Sequence, residues 1–306
     1  MSAGRDDLSH LHQPVMVREV LAWLDITPTR DGLVVDGTLG LGGHAEAILE
    51  AAPHCRLLGL DRDTAALEHA RTRLGRFGDR VVTRHASYAD VADVLRDLEA
   101  PAPFGMLLDV GLSSFQLDDP ERGFAFRFED APLDMRFDPT GDGPTAAELV
   151  NSMPERELAD LLFHHADEPR SRAIARALVR ARPLVTVGDV ADVVRRHAAR
   201  GRRHDPASRV FQALRIAVND ELGHLERGLH AALRALAPGG RLVVLAFQSG
   251  EERLVKDAFR AARAEGLGRP LTPKPIRPME DETRRNPRAR PTRLRAFERA
   301  PTDPLA

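Results

Sequence analysis

Short apolar runs recur through the first third of the chain, each followed by a stretch of helical pattern. Leu33-Val34-Val35 ends at Asp36 and a glycine-rich turn. Leu57-Leu58-Gly59-Leu60 ends at Asp61, Val81-Val82-Thr83 follows a turn at Gly78-Asp79, and Met106-Leu107-Leu108 ends at Asp109. Short apolar strands alternating with helices predict a parallel, doubly wound sheet. Ligands of such sheets bind outside the carboxyl ends of the strands. Three of these four strands end in aspartate, so Asp36, Asp61 and Asp109 are predicted to share that rim.

Beyond Asp109 the pattern changes. Residues 111–144 are rich in Gly, Pro, Asp and Phe and read as a long functional loop. Ser152-x-x-Glu155 reads as a capping box with Pro154 in the first turn. Further helices are predicted over 169–182 and 187–200. Asp205-Pro206 supplies a cap and a first-turn proline for a fourth, running through Leu214. No strand signal occurs between Gly111 and Ala237. Pro238-Gly239-Gly240 then turns into the strand Leu242–Leu245, and Leu294-Arg295-Ala296-Phe297 reads as a final strand. The simplest architecture is a Rossmann-like α/β domain with a mostly parallel sheet, interrupted by an all-helical insertion. The expected boundaries are 1–140 for the first part, 141–225 for the insertion and 226–306 for the second part.

Composition narrows the class. The chain has 306 residues, 42% hydrophobic and 29% charged, the profile of a soluble globular protein. No apolar run approaches the roughly 18 residues of a membrane span. Met1 to His12 is polar and lacks a signal-peptide core, so a cytoplasmic protein is expected. Cys55, the single cysteine, fits a reducing compartment and excludes an intramolecular disulfide or a thiolate metal cluster. His164-His165 point apart on a helix and the nearby carboxylates lack ligand spacing, so no metal site is predicted.

The net charge is only −2, but the basic residues are unevenly spread. Lys256 and Lys274 are the only lysines among 44 basic side chains. The arginine bias fits a GC-rich genome or phosphate binding by the guanidinium fork. Seven arginines lie between Arg195 and Arg215, and seven more between Arg284 and Arg299. Such clusters read either as solvated faces or as phosphate contacts that position RNA without reading its sequence. Phe124, Phe126 and Phe128 are available for base stacking, with a core role the first expectation.

The strongest chemical signal follows the first strand. Asp36-Gly37-Thr38-Leu39-Gly40-Leu41-Gly42-Gly43-His44 opens a helix, where glycines let backbone N–H groups approach a ligand closely. Asp61 ends the next strand, where a carboxylate can accept both ribose hydroxyl protons. Alone, the turn is also an ordinary tight connection; joined to Asp61 it points to a nucleoside cofactor. Gly40-x-Gly42-x-x-Ala45 fits a relaxed dinucleotide fingerprint, which keeps NAD open. Asp36 favours S-adenosylmethionine instead, because a carboxylate there accepts from a cationic amino group and repels a pyrophosphate.

These residues carry a resemblance. The chain is similar to the MraW (RsmH) family, which methylates the N4 amine of a cytidine in the decoding centre of small-subunit ribosomal RNA. The matching stretches are His12-x-Pro14-Val15, DGTLGLGGHAEAIL from Asp36, LLGLDRD from Leu57, LLDVGLSSFQLDDPERGFAFR from Leu107 and PLDMRFDP from Pro132. DPASRVFQALRIAVNDEL from Asp205, LAPGGRLVVLAF from Leu236 and NPRAR from Asn286 complete them, nearly spanning the chain. The resemblance implies a class I methyltransferase fold, S-adenosylmethionine as cofactor and 16S ribosomal RNA as partner, with the helical insertion recognising substrate. It places cofactor contacts at Gly42, Gly43, His44, Asp61, Tyr88, Asp109 and Gln116.

Many amino methyltransferases carry an Asn/Asp-Pro-Pro-aromatic motif after the fourth strand. This chain has Asp109-Val110-Gly111-Leu112 there, so Asp109 is a candidate catalytic acceptor for the amine hydrogens as well as a cofactor contact. Arg209 and Arg215 are the candidate RNA contacts. The chain departs from the family pattern at Leu41, Phe115, Asp205 and Gln248. Two rival readings stay open: a ribosome-binding module that kept the cofactor fold, and an NAD-dependent oxidoreductase, for which no catalytic base is found.

Overall fold

The computed structural model of the protein describes residues 14–197 and 205–301. The first segment of the chain runs α1 (Val17–Trp23), β1 (Asp31–Asp36), α2 (Gly43–Ala51), β2 (His54–Asp61), α3 (Thr64–Leu74), β3 (Val81–His85), α4 (Val91–Asp97) and β4 (Gly105–Asp109). Helices follow: α5 (Ser114–Asp118), α6 (Ala146–Ser152), α7 (Glu155–Ala166), α8 (Ser171–Arg180), α9 (Val187–His197) and α10 (Ala207–Asn219). The chain closes with α11 (Glu221–Ala235), β5 (Arg241–Ala246), α12 (Ser249–Ala264), β6 (Gly268–Pro270), α13 (Glu280–Arg285) and β7 (Arg293–Arg299). No described helix is long and apolar enough to cross a membrane.

The strands form one seven-stranded sheet in the order β3-β2-β1-β4-β5-β7-β6. β3 through β5 pair in parallel; β7 is antiparallel to both its neighbours. Period-two alternation fixes which side chain enters which layer. Val34, Leu57, Leu107 and Val243 pack on one face with Val20, Ile48 and Leu67 of α1, α2 and α3. Val35, Leu58, Met106 and Val244 pack on the other with Leu95, Leu229 and Phe259 of α4, α11 and α12. The continuous apolar runs are therefore what a sheet covered on both faces requires. β6, a three-residue edge strand containing Pro270, carries no such run and is invisible in the sequence pattern.

Successive strands step outward from β1 to β3, and β4 then starts on the other side of β1. That reversal opens a crevice at the carboxyl ends of β1 and β4, the place where open α/β sheets take their ligands.

The chain divides after Gly111 and again before Leu222 into two compact units. The helical unit thus starts at Leu112 rather than near residue 141, because the glycine- and proline-rich segment is part of its core. Phe124, Leu133 and Met135 are buried with Leu158, Leu162, Ile174, Val190, Val210 and Leu214. Phe126 and Phe128 pack partly buried against the same cluster. Asn219 ties this segment down: its Oδ1 accepts from Phe137 N–H at 2.7 Å and its Nδ2 donates to the Met135 carbonyl at 2.8 Å. Arg122 Nη2 donates to the Arg136 and Phe137 carbonyls at 3.0 and 2.9 Å.

Two local expectations change. Ser152 does not cap a helix; it ends α6, and its hydroxyl donates to the Glu148 carbonyl at 2.7 Å. Pro154 forces Met153 into an extended conformation (φ −65°, ψ 134°), so α6 must stop there and α7 begins at Glu155. The capping box of this region is Thr145 with Glu148, at the start of α6. The helix predicted over 187–200 is observed to His197, and its last three residues lie outside the described residues.

Arg215 closes its guanidinium on Glu221 through two bonds, Nε–Oε1 at 2.7 Å and Nη2–Oε2 at 3.0 Å. The side chains are only 13% and 5% exposed. Removing one partner of such a pair strands the other charge in the interior. Arg215→Ala is therefore expected to destabilise the protein by about 3–5 kcal/mol, measured by urea unfolding. The double variant Arg215→Met with Glu221→Leu should recover most of that loss; equal destabilisation by both would contradict this reading.

Candidate active site

The turn after β1 is laced to the neighbouring strand ends. Gly37 N–H donates to the Leu107 carbonyl at 2.9 Å and Leu39 N–H to the Leu60 carbonyl at 2.9 Å. Thr38 Oγ1 accepts from Asp109 N–H at 2.7 Å, a link that the glycine pattern had concealed. Gly42 starts α2 at φ 80°, a left-handed conformation in which a side chain would also press on Leu74. Gly43 and His44 form the first turn of α2 and are both buried. Gly40 N–H donates to Asp61 Oδ2 at 2.7 Å, and Asp63 N–H to Asp61 Oδ1 at 2.9 Å. Those two donors hold the Asp61 carboxylate in one orientation. The carboxylate keeps acceptor capacity for a further donor.

The lacing gathers Asp36, His44, Asp61 and Asp109 at one place. His44 Nε2 lies 3.5 Å from Asp109 Oδ2. Asp36 Oδ1 accepts from Thr38 N–H at 3.1 Å. Asp36 Oδ2, both ring nitrogens of His44 and Asp109 Oδ1 are buried without a hydrogen-bond partner among the described residues. Buried polar atoms are nearly always bonded, so four such atoms together mark a ligand site.

Charge is also unbalanced there. Burial away from water pushes the Asp36 carboxyl up from an ordinary 3.8 to about 7. His44 and the Thr38 N–H oppose that rise, while the nearby charges of Asp109 and Asp61 add to it. Burial likewise raises Asp61, against the N–H donors from Asp63 and Gly40. A largely buried rim with three carboxylates and one imidazole favours a cationic ligand and disfavours an anionic one.

The remaining predicted residues divide. Tyr88 sits in a short turn after β3, capped by Ser87, whose Oγ accepts from Ala89 N–H at 3.1 Å. One side of its ring lies on Gly228 of α11, where an added Cβ would meet Tyr88 Cδ2 at 2.3 Å. Gln116 belongs to the helical unit and is buried there. Its Oε1 accepts from Ser113 N–H at 3.1 Å, and Ser113 Oγ accepts its N–H at 3.2 Å, a capping box for α5. Arg209 is exposed and donates to the Asp167 carbonyl at 2.9 Å. Arg215 is turned inward onto Glu221, so its fork is closed to a phosphate.

Much of the arginine clustering is spent in the same way. Arg195 pairs with Glu129 and Asp205, and Arg295 with Glu252. Arg200, Arg202 and Arg203, like His12, lie outside the described residues. Two of the departures from the family pattern have structural work. Asp205 Oδ1 accepts from Ala207 N–H at 2.8 Å, and Gln248 shares a capping box with Glu251 at the start of α12.

The fold and rim define a doubly wound, Rossmann-like domain built to hold a nucleoside-type ligand. The model of the MraW methylase family matches residues 9–300, and the chain belongs to that family. A similar protein is the ribosomal RNA small subunit methyltransferase H of Methylorubrum extorquens. It is 46% identical over 316 residues, covering 96% of this chain and 88% of the relative. The protein of the same name from Sorangium cellulosum is 48% identical over 293 residues, covering 94% and 90%. That from Thermomicrobium roseum is 46% identical over 321 residues, covering 98% and 97%.

The Asp36 shift has a consequence without any ligand. The folded state keeps the Asp36 proton up to about pH 7, whereas the unfolded chain releases it near 3.8. Folded protein therefore binds more protons between those values, and stability falls as pH rises through the window. Asp36→Asn removes this contribution. Unfolding free energies measured between pH 4 and 7 should decline less steeply in the variant than in the wild type; parallel curves would contradict the assignment.

Proposed function

We propose that the protein uses S-adenosylmethionine to methylate the N4 amine of a cytidine in the decoding region of 16S ribosomal RNA. The observation that carries this reading is the group of four buried, unpartnered polar atoms on Asp36, His44 and Asp109. Membership of a methylase family and the names of the relatives support the reaction class and the RNA. The residues fit the cofactor. Asp61 has lone pairs left for ribose hydroxyls, and the Asp36 carboxylate suits a cationic amino group. Gly42, Gly43 and His44 supply the helix start, and Tyr88 a ring for adenine. NAD fits poorly, because its pyrophosphate brings negative charge to a rim already rich in carboxylates.

When bound, the cofactor supplies an activated methyl group, so the protein's main task is alignment. The cytosine amine is a weak nucleophile, its lone pair being delocalised into the ring. Asp109 is proposed as the catalytic acceptor: its carboxylate receives a hydrogen bond from the amine, restores its nucleophilicity and takes the proton that the amine loses. Thr38 is proposed to position Asp109 by holding its backbone N–H. The helical unit is proposed to recognise the assembled small-subunit particle, with Arg209 as a phosphate contact.

Mapping of modified nucleotides by mass spectrometry, in ribosomal RNA from cells lacking the protein, tests the target directly. One methyl group on a decoding-region cytidine should be missing; an unchanged map would overturn the proposal. Asp109→Asn keeps the shape and loses the charge. Turnover on small-subunit particles should fall by a factor on the order of 10²–10⁴, the range for a general base, with a much smaller change in cofactor affinity. Equal losses in both would make Asp109 a cofactor contact only.

A further inference from the structure

Within the helical unit, α7 and the start of α8 border a cavity of about 460 Å³. Its lining includes Asp160, Phe163, Pro169, Arg170, Ser171 and Arg172. That volume falls in the roughly 300–1,000 Å³ range of sites that take small ligands or parts of larger ones. α7 buries Leu158, Ala159, Leu162 and Ala166, yet leaves the Phe163 ring 51% exposed. Among the described residues, Phe163 is the one aromatic among the large exposed hydrophobics; the others are Val82, Val185 and Met279. His164 meets it edge-on, with centroids 5.4 Å apart.

Most described arginines elsewhere in the unit are held by a partner, Arg180 of α8 being an exception. Arg176 pairs with Glu155 at 3.3 Å, Arg209 donates to the Asp167 carbonyl, and Arg215 is locked on Glu221. The exposed guanidiniums of Arg170 and Arg172 make no ion pair or hydrogen bond among the described residues. The lining thus offers two free guanidiniums against one carboxylate, Asp160, which itself lies 4.0 Å from Arg156 Nε.

We propose that this groove binds a single-stranded segment of the RNA substrate, with Phe163 as the platform for one base and Arg170 and Arg172 as contacts to its phosphates. The inference rests on the reading that the protein acts on ribosomal RNA, and adds a contact surface within the helical unit. An exposed ring beside unpaired guanidiniums matches the chemistry of an unpaired nucleotide, which has a flat apolar face and an anionic linkage. A duplex keeps its bases stacked on each other and offers no face to Phe163. Asp160 is placed to accept from a base amino group or a ribose hydroxyl.

The test uses the full chain and short labelled RNA, single-stranded and duplex, followed by fluorescence anisotropy. Phe163→Ala should weaken single-strand binding by about 5- to 140-fold, the scale of one base–aromatic stack, and leave duplex binding unchanged. Arg170→Ala with Arg172→Ala should reduce the slope of log affinity against log salt by about 1.4, for two single-strand phosphate contacts. Phe163→Trp should restore binding and show RNA-dependent quenching beyond that of Trp23. The proposal is overturned if the alanine variants bind single strands as the wild type does. It is also overturned if a polyglutamate peptide binds in a Phe163-dependent way while RNA does not, which would make the groove a protein-docking surface. Failure of the wild type to bind any RNA would overturn the RNA reading itself together with this inference.

Discussion

Three carboxylates held at the ends of β1, β2 and β4, with a single imidazole among them, are the constraint around which the α/β unit is arranged. Like charges close together repel, and burial strips hydration from Asp36 and Asp61. The chain holds them there with backbone donors: Thr38 N–H on Asp36, and Gly40 and Asp63 N–H on Asp61. The Thr38 and Gly40 donors are in place because the turn after β1 is bent tightly over the strand ends, the Asp63 donor comes from the turn after β2, and the Thr38 hydroxyl ties the first turn to β4. Burial, with a smaller push from Asp109 and Asp61, leaves Asp36 keeping its proton to about pH 7. A cation entering the rim would supply the missing charge, and this makes the proposed choice of cofactor a matter of electrostatics as well as shape.

The helical unit solves a different problem. It has to order the long segment between Leu112 and Thr145, which forms little secondary structure of its own. Phe124, Leu133 and Met135 are buried in its core, and Asn219 and Arg122 satisfy its backbone. Arginine serves as an internal brace at several points, since one guanidinium can bond two or more acceptors in a fixed plane. Many guanidiniums of this arginine-rich sequence are thereby occupied, whereas those of Arg170 and Arg172 are unpaired among the described residues and lie beside an exposed ring.

Much of the architecture was legible because strands covered on both faces write continuous apolar runs. Leu33–Val35, Leu57–Leu60, Met106–Leu108 and Leu242–Leu245 all fall within strands. The rim was legible through the aspartates that end three of them. β6 was not, being an edge strand with no apolar face to declare it. Ser152 misled because the spacing of a capping box recurs by chance, and only the extended Met153 before Pro154 shows that one helix ends there. Arg215 could not be told from a surface arginine, because its partner Glu221 lies in the next helix and the pairing depends on the turn between them. The role of Thr38 is hidden among glycines, since a hydroxyl that grips a distant backbone N–H leaves no periodic trace.

The central claim is that the rim carboxylates select a cationic nucleoside ligand. Isothermal titration of S-adenosylmethionine and of NAD between pH 6 and 8, on the wild type and on Asp36→Asn, tests it most directly. S-adenosylmethionine should bind and NAD should not. Affinity for S-adenosylmethionine should rise with pH in the wild type, because Asp36 must lose its proton to meet the cation. Asp36→Asn should bind more weakly and without that rise. Tight NAD binding, or a pH-independent S-adenosylmethionine affinity shared by both proteins, would contradict the claim.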